Sequence, residues 1–206
     1  MRSENFDFLS NLGALWMVVF GALLATIGGF AATQFEWYIE RRRRERHAAL
    51  FFGEILSTLR SLLDIAHETH GRGDPFGPIT MRMLRSAKRE IDMYERNREV
   101  LYDIHDAALR TRIHALVLRI NTPLDGVFDA TEEIRVMEGL LRAPELPAEH
   151  RLEIQERLDR LKSHREGGYE FAMETAAQIA ALVKALEPKA QREIGGTARA
   201  FPDDGD

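Results

Sequence analysis

Histidines and carboxylates at helical spacing are the first candidates for chemistry. Asp64, His67 and His70 recur at three-residue steps, which sets them near one face of a helix. A carboxylate-x-x-His element of this kind can ligate a metal inside a helical bundle. A di-iron centre, however, needs that element on two helices and further carboxylates on two others. No second element occurs, and His105, flanked by Asp103 and Asp106, has a different spacing. No metal site is therefore expected. His67 and His70 read instead as solvated or capping side chains near a helix C-terminus. The chain has no Cys, which removes thiolate zinc sites, disulfides and Cys nucleophiles. No Walker-type phosphate loop, HExxH or GxSxG motif occurs. Glu153 with Arg157 and Glu156 with Arg160 are spaced as solvated ion pairs along a helix. The expectation is a non-enzymatic protein with no catalytic residue, no cofactor and no small-molecule substrate.

Two other groups point to a membrane. Residues 41–46 read RRRRER, placing Arg41, Arg42, Arg43, Arg44 and Arg46 together. Such a block halts translocation, and each cation near the surface attracts anionic head groups by about 1 kcal/mol. The net charge of the whole chain is −5, so the remainder is more acidic than that figure suggests. Basic charge gathered at one point, and not spread over a domain face, argues against a nucleic-acid partner. Immediately before the block lies a stretch without a charge, residues 12–35. Within it Gly21, Ala25, Gly28 and Ala32 fall on one helix face, with Gly29 adjoining. Small residues let two helices approach closely in lipid, which suggests packing against a second copy or another membrane protein.

Residues 12–35 as a helix would be roughly 36 Å long, against a hydrocarbon core of about 30 Å. Trp16 lies near one end, and Phe35, Trp37 and Tyr38 near the other, where aromatic rings favour the interface. A cleaved signal peptide would carry its positive charge before the apolar run, not after it. Residues 1–11 hold one Arg against Glu4 and Asp7. The charge asymmetry predicts an extracytoplasmic N-terminus at residues 1–11 and residues 36–206 in the cytoplasm. Of 28 basic residues only four are Lys. That bias is typical of GC-rich coding sequence, so the membrane expected is a bacterial inner membrane.

The domain over residues 36–187 reads as all-α. Leu50, Phe51, Ile55, Leu59, Leu62, Leu63 and Ala66 continue the anchor helix to about His70. Gly and Pro crowd residues 71–78, a loop. Thr80 would cap a helix over residues 81–95, and Asn97 marks a turn. From Arg98 to Leu141 the periodicity predicts one long helix, kinked where Pro123 lacks a backbone donor, or else two helices meeting there. After a loop at residues 143–147, one last helix crosses Gly167 and Gly168 and stops at Pro188. Residues 188–206 lose periodicity and read as a disordered tail. The expected architecture is one transmembrane helix leading into an antiparallel bundle with long, coiled-coil-like helices. The expected function is a membrane-anchored, self-associating interaction or scaffold protein. The alternative is a signalling or sensory subunit that transmits a change through the anchor helix, and a remote alternative is a bundle-type metalloenzyme built on Asp64, His67 and His70.

Overall fold

The computed structural model describes residues 4–73, 75–143 and 147–195, with side chains from residue 16 onward. Every regular element among them is helical: α1 (Glu4–His70), α2 (Pro78–Arg96), a short 3-10 helix (Arg98–Asp103), α3 (Ala107–Leu141), α4 (Ala148–Ala176) and α5 (Ile179–Ala190). The all-α expectation holds. The chain divides between Arg44 and Glu45 into two units.

In the first unit, every described side chain from Trp16 to Arg44 is exposed. This part of α1 includes a stretch near the N-terminus that is long and apolar enough to cross a membrane, and none of that stretch is buried within the chain. The core helix of a soluble protein would be mostly covered. Its two threonines return their hydroxyls to the helix: Thr26 Oγ1 donates to the Ala22 carbonyl at 2.8 Å and Thr33 Oγ1 to that of Gly29 at 2.9 Å. Neither hydroxyl then requires a partner from its surroundings. Residues 1–3, part of the expected extracytoplasmic segment, lie outside the described residues.

In the second unit, α1 buries one stripe. Ala48, Ala49, Phe52, Leu56, Leu59, Leu63 and Ala66 are each at most 1% exposed. Against them pack Leu84, Ala87 and Ile91 of α2, Ile113, Val117, Ile120 and Leu124 of α3, Tyr169 and Ala172 of α4, and Ile179 and Leu186 of α5. The 3–4 spacing of these residues on every helix is why one shared core forms. Lys88 pins α2 to α3 at its edge. Its ammonium donates to Asn121 Oδ1 at 2.6 Å and pairs with Asp125 at 2.8 Å.

Several boundaries differ from the sequence expectation. Thr80 does not cap α2. The helix starts at Pro78, whose fixed φ suits a first turn, with Gly77 in extended backbone before it. Thr80 is buried, and its hydroxyl meets that of Thr69 at 2.9 Å. Asn97 does end α2, its side-chain amide donating to the Met93 carbonyl at 2.8 Å. The run from Arg98 is not one helix. Asp106 adopts extended backbone and accepts from the Leu109 amide at 2.9 Å, so α3 begins at Ala107. Pro123 lies inside α3 without splitting it. The last expected helix divides into α4 and α5, and the break is not at the glycines. It falls at Ala177–Gln178, where the Gln178 amide turns to Thr175 at 3.0 Å and tightens the chain.

Nor does the chain lose structure at Pro188. α5 continues to Ala190, after which Gln191 turns left-handed at φ 56°. Arg192 then pairs with Glu54 at 2.5 Å, and Ile194 packs against the core. The expected disordered tail is thus corrected for residues 188–195. Its remainder, residues 196–206, lies outside the described residues.

Because Ile120 is fully buried in the shared core, Ile120→Ala should cost about 2–5 kcal/mol. Leu152, 67% exposed, should change stability by no more than about 0.5 kcal/mol when cut to Ala. Denaturant titration of the full chain in detergent, read by the domain's helical signal, compares the two.

Candidate functional site

The arginine block is split by the unit boundary, and its members have different roles. Arg41 stacks its guanidinium over the Trp37 ring at 5.1 Å, one turn earlier on α1. Such a pair suits an interface, because the ring takes the apolar side and the cation the wet side. Arg44 pairs with Glu40. Arg42 and Arg43 are exposed. Arg46 belongs to the domain: its Nε donates to the Ala190 carbonyl at 3.2 Å. A cation there satisfies the last turn of α5 and opposes the negative end of its dipole. Arg46, expected as a membrane-surface charge, is exposed and in addition makes this contact within the domain.

Beside Arg46, Glu45 forms the polar knot of this end of the domain. It accepts the His105 backbone amide at 3.2 Å and pairs with Lys189 at 3.0 Å and His105 Nδ1 at 3.1 Å. Burial by itself raises its carboxyl pKa, but hydrogen bonds from Lys189 and His105 outweigh burial and leave it below the ordinary carboxylate value. Three segments far apart in sequence meet at one carboxylate, so no local pattern marks it.

Of the small-residue stripe, Gly21, Gly28 and Gly29 have nothing within 4 Å of where a Cβ would stand. Ala25 and Ala32 are exposed. Among the described residues the stripe is thus an open face with room for another helix.

The candidate metal residues are not brought together. Asp64 is exposed and pairs with Arg60 at 3.5 Å. His67 and His70 instead hold Tyr169 of α4. The His70 ring stacks on the phenol ring at 4.1 Å, and His67 Nδ1 lies 3.4 Å from the hydroxyl. Phe76 meets His70 edge-on at 5.1 Å, with Arg165 stacked above Phe76 at 3.8 Å. His70 also pairs with Glu166 at 3.2 Å. His67 is exposed in the last turn of α1, as the solvated reading expects, whereas His70 is half-buried against Tyr169, and for His70 that reading is corrected. Burial pushes the Tyr169 phenol up to about 12, so it is neutral at any ordinary pH. Among the described residues no group of three His, Cys, Asp or Glu is placed to hold a metal ion.

A cleft of about 610 Å³ opens beside this cluster, lined by Phe76, Arg85, Arg135, Lys162 and Arg165 but also by Glu132, Glu138 and Glu166. Its charges largely answer one another. Arg135 pairs with Glu132 at 2.8 Å and Lys162 with Glu138 at 3.4 Å. On the other side of the core, Tyr94 reaches His114 Nδ1 at 3.1 Å. Burial lifts this phenol to about 12 and pulls the imidazole below its ordinary value, so the pair is neutral near pH 7. Arg135–Glu132 is a local pair one turn apart on α3, whereas Lys162–Glu138 and Tyr94–His114 join different helices, which no local pattern marks.

No family model matches the chain, and neither does any curated protein or solved structure.

The Glu45 carboxyl has a folded pKa below its unfolded one. Its stabilisation is therefore present above the ordinary carboxylate value of 4.5 and is lost as pH falls through the folded value. Glu45→Gln should lower stability at pH 7 and flatten its decline below about pH 4.5. Stability measured against pH for both proteins tests this, and parallel acid limbs would refute it.

Proposed function

We propose that this chain is a membrane-anchored helical interaction protein, self-associating at the cytoplasmic face of a bacterial inner membrane. Its mechanism is positional. The single observation that carries the reading is that, among the described side chains, the apolar part of α1 from Trp16 to the arginine block covers no core of its own. An apolar helix without a solvent face or an internal partner is stable only in lipid or against another protein. The anchor spans with residues 1–11 outside and residues 36–206 in the cytoplasm, and Arg41, Arg42, Arg43 and Arg44 meet anionic head groups. Gly21, Ala25, Gly28, Gly29 and Ala32 pack against a second copy. Confinement to two dimensions raises the effective concentration of the domains without new contacts.

A chain with no Cys makes the test direct. Single cysteines at Ser3 and Arg142 should be labelled by an impermeant thiol reagent from outside and only after lysis, respectively. Joint replacement Gly21→Leu and Ala25→Leu should abolish self-crosslinking in membranes. Crosslinking that persists removes the stripe from the proposal, and Arg142 labelling in intact cells reverses the topology.

A second reading, transmission of a change through the anchor, is favoured by helical structure without a break from Glu4 to His70. One residue inserted after Arg44 would rotate everything beyond it by about 100°, and two by about 200°. An output that varies with insertion phase favours transmission, and indifference favours a tether.

A further inference from the structure

We propose that the outer face of the α3–α4 pair binds a single-chain aliphatic carboxylate, the chemistry of a free fatty acid. A groove of about 500 Å³ runs there, walled by Leu118 and Phe171 and floored by Pro123, Gly126 and Gly168. Three residues that disfavour helix interiors thus meet at one level of two long helices. Pro and Gly are both less favourable than Ala inside a helix. Gly168 has an internal reason: its Cβ position lies 3.5 Å from the Pro123 carbonyl, where the two backbones approach. Gly126 has none. Among the described residues nothing lies within 4 Å of its Cβ position, and because Gly126 lines the groove, a side chain added there would enter it.

The walls decide the class of occupant. The cavity has the volume of a small-molecule site, apolar with few polar groups. Its two ionisable lining residues are Arg119 and His164, and among the described residues no carboxylate lines it. In an acidic chain, a groove lined by no acid complements a negative head. Arg119 carries its guanidinium 5.6 Å above the Phe171 ring, at the side of the apolar trough. From residue 118 to 126 the α3 backbone advances about 12 Å, a trough for an extended medium-length tail. The head pairs with Arg119, and the tail lies between Leu118 and Phe171 over Gly126.

The test uses the full chain in zwitterionic nanodiscs and a dodecanoate analogue with a photoreactive tail, with labelled peptides mapped by mass spectrometry. Labelling should fall at residues 118–126 and 164–171 and be displaced by plain dodecanoate. Gly126→Leu puts a side chain into the trough without a clash and gains helix propensity, so it should remove groove labelling while the fold is kept. Gly139→Leu, whose Cβ position is also open, should label normally. Arg119→Gln should weaken displacement by dodecanoate about tenfold, the loss of one charge-assisted hydrogen bond, and leave displacement by its methyl ester unchanged. Labelling confined to residues 12–35 would mean that the probe only dissolves in the bilayer, and would overturn the proposal. So would groove labelling that survives Gly126→Leu, or displacement by anionic phospholipid and not by dodecanoate.

Discussion

Burial along one stripe of α1, from Ala48 to Ala66, is the constraint on which the domain depends. All four other α-helices add residues to the core that contains it. The small residues at Ala48, Ala49 and Ala66 bring backbones near, while Phe52, Leu56, Leu59 and Leu63 supply the apolar volume. Each large side chain taken out of water contributes about 1.5–3 kcal/mol, and the order of helices around α1 follows from where their own stripes lie. Before Glu45 the same helix buries nothing among its described side chains. One element thus obeys two different rules, and the change falls within the arginine block.

Polar contacts then fix what apolar burial leaves undetermined. Hydrophobic attraction has no direction, so helices free to slide along one another need pins. Glu45 joins α1 to the turn before α3 and to the end of α5. Lys88 joins α2 to α3, and the part-buried Tyr94–His114 contact does so as well. At the other end, the His70–Tyr169 stack and the His67 contact hold α4 against α1. These pins use groups that are neutral, or paired with an opposite charge. That is how a mostly apolar bundle tolerates them.

Two surfaces remain that the described residues leave open. The exposed small-residue face lies in the apolar part of α1, and the groove over Gly126 lies on the α3–α4 pair. Both are places where glycine or alanine leaves room that this chain does not fill. Inside a closed bundle such room would be a packing fault. On an open face the same room leaves a helix surface without side chains.

The sequence by itself determined the helical class, the position of the apolar segment and most of the core. Periodicity and the absence of charge are local properties, readable from each segment alone. Asn97 as a stop was legible for the same reason. The start of α3 at Ala107, the break at Ala177, the order beyond Pro188 and the roles of Thr80 and Arg46 were decided by tertiary structure. Each depends on a partner remote in the chain or on one hydrogen bond competing with the helix. His67 and His70 show the difference most clearly. Their spacing suggested a ligand pair or a solvated end, but the side chain that claims them is Tyr169, about a hundred residues away, as the 102-residue separation of its contact with His67 records. Helical periodicity says which face a residue occupies. Only the packed bundle decides what stands opposite that face, because that depends on the stripes of all the other helices at once.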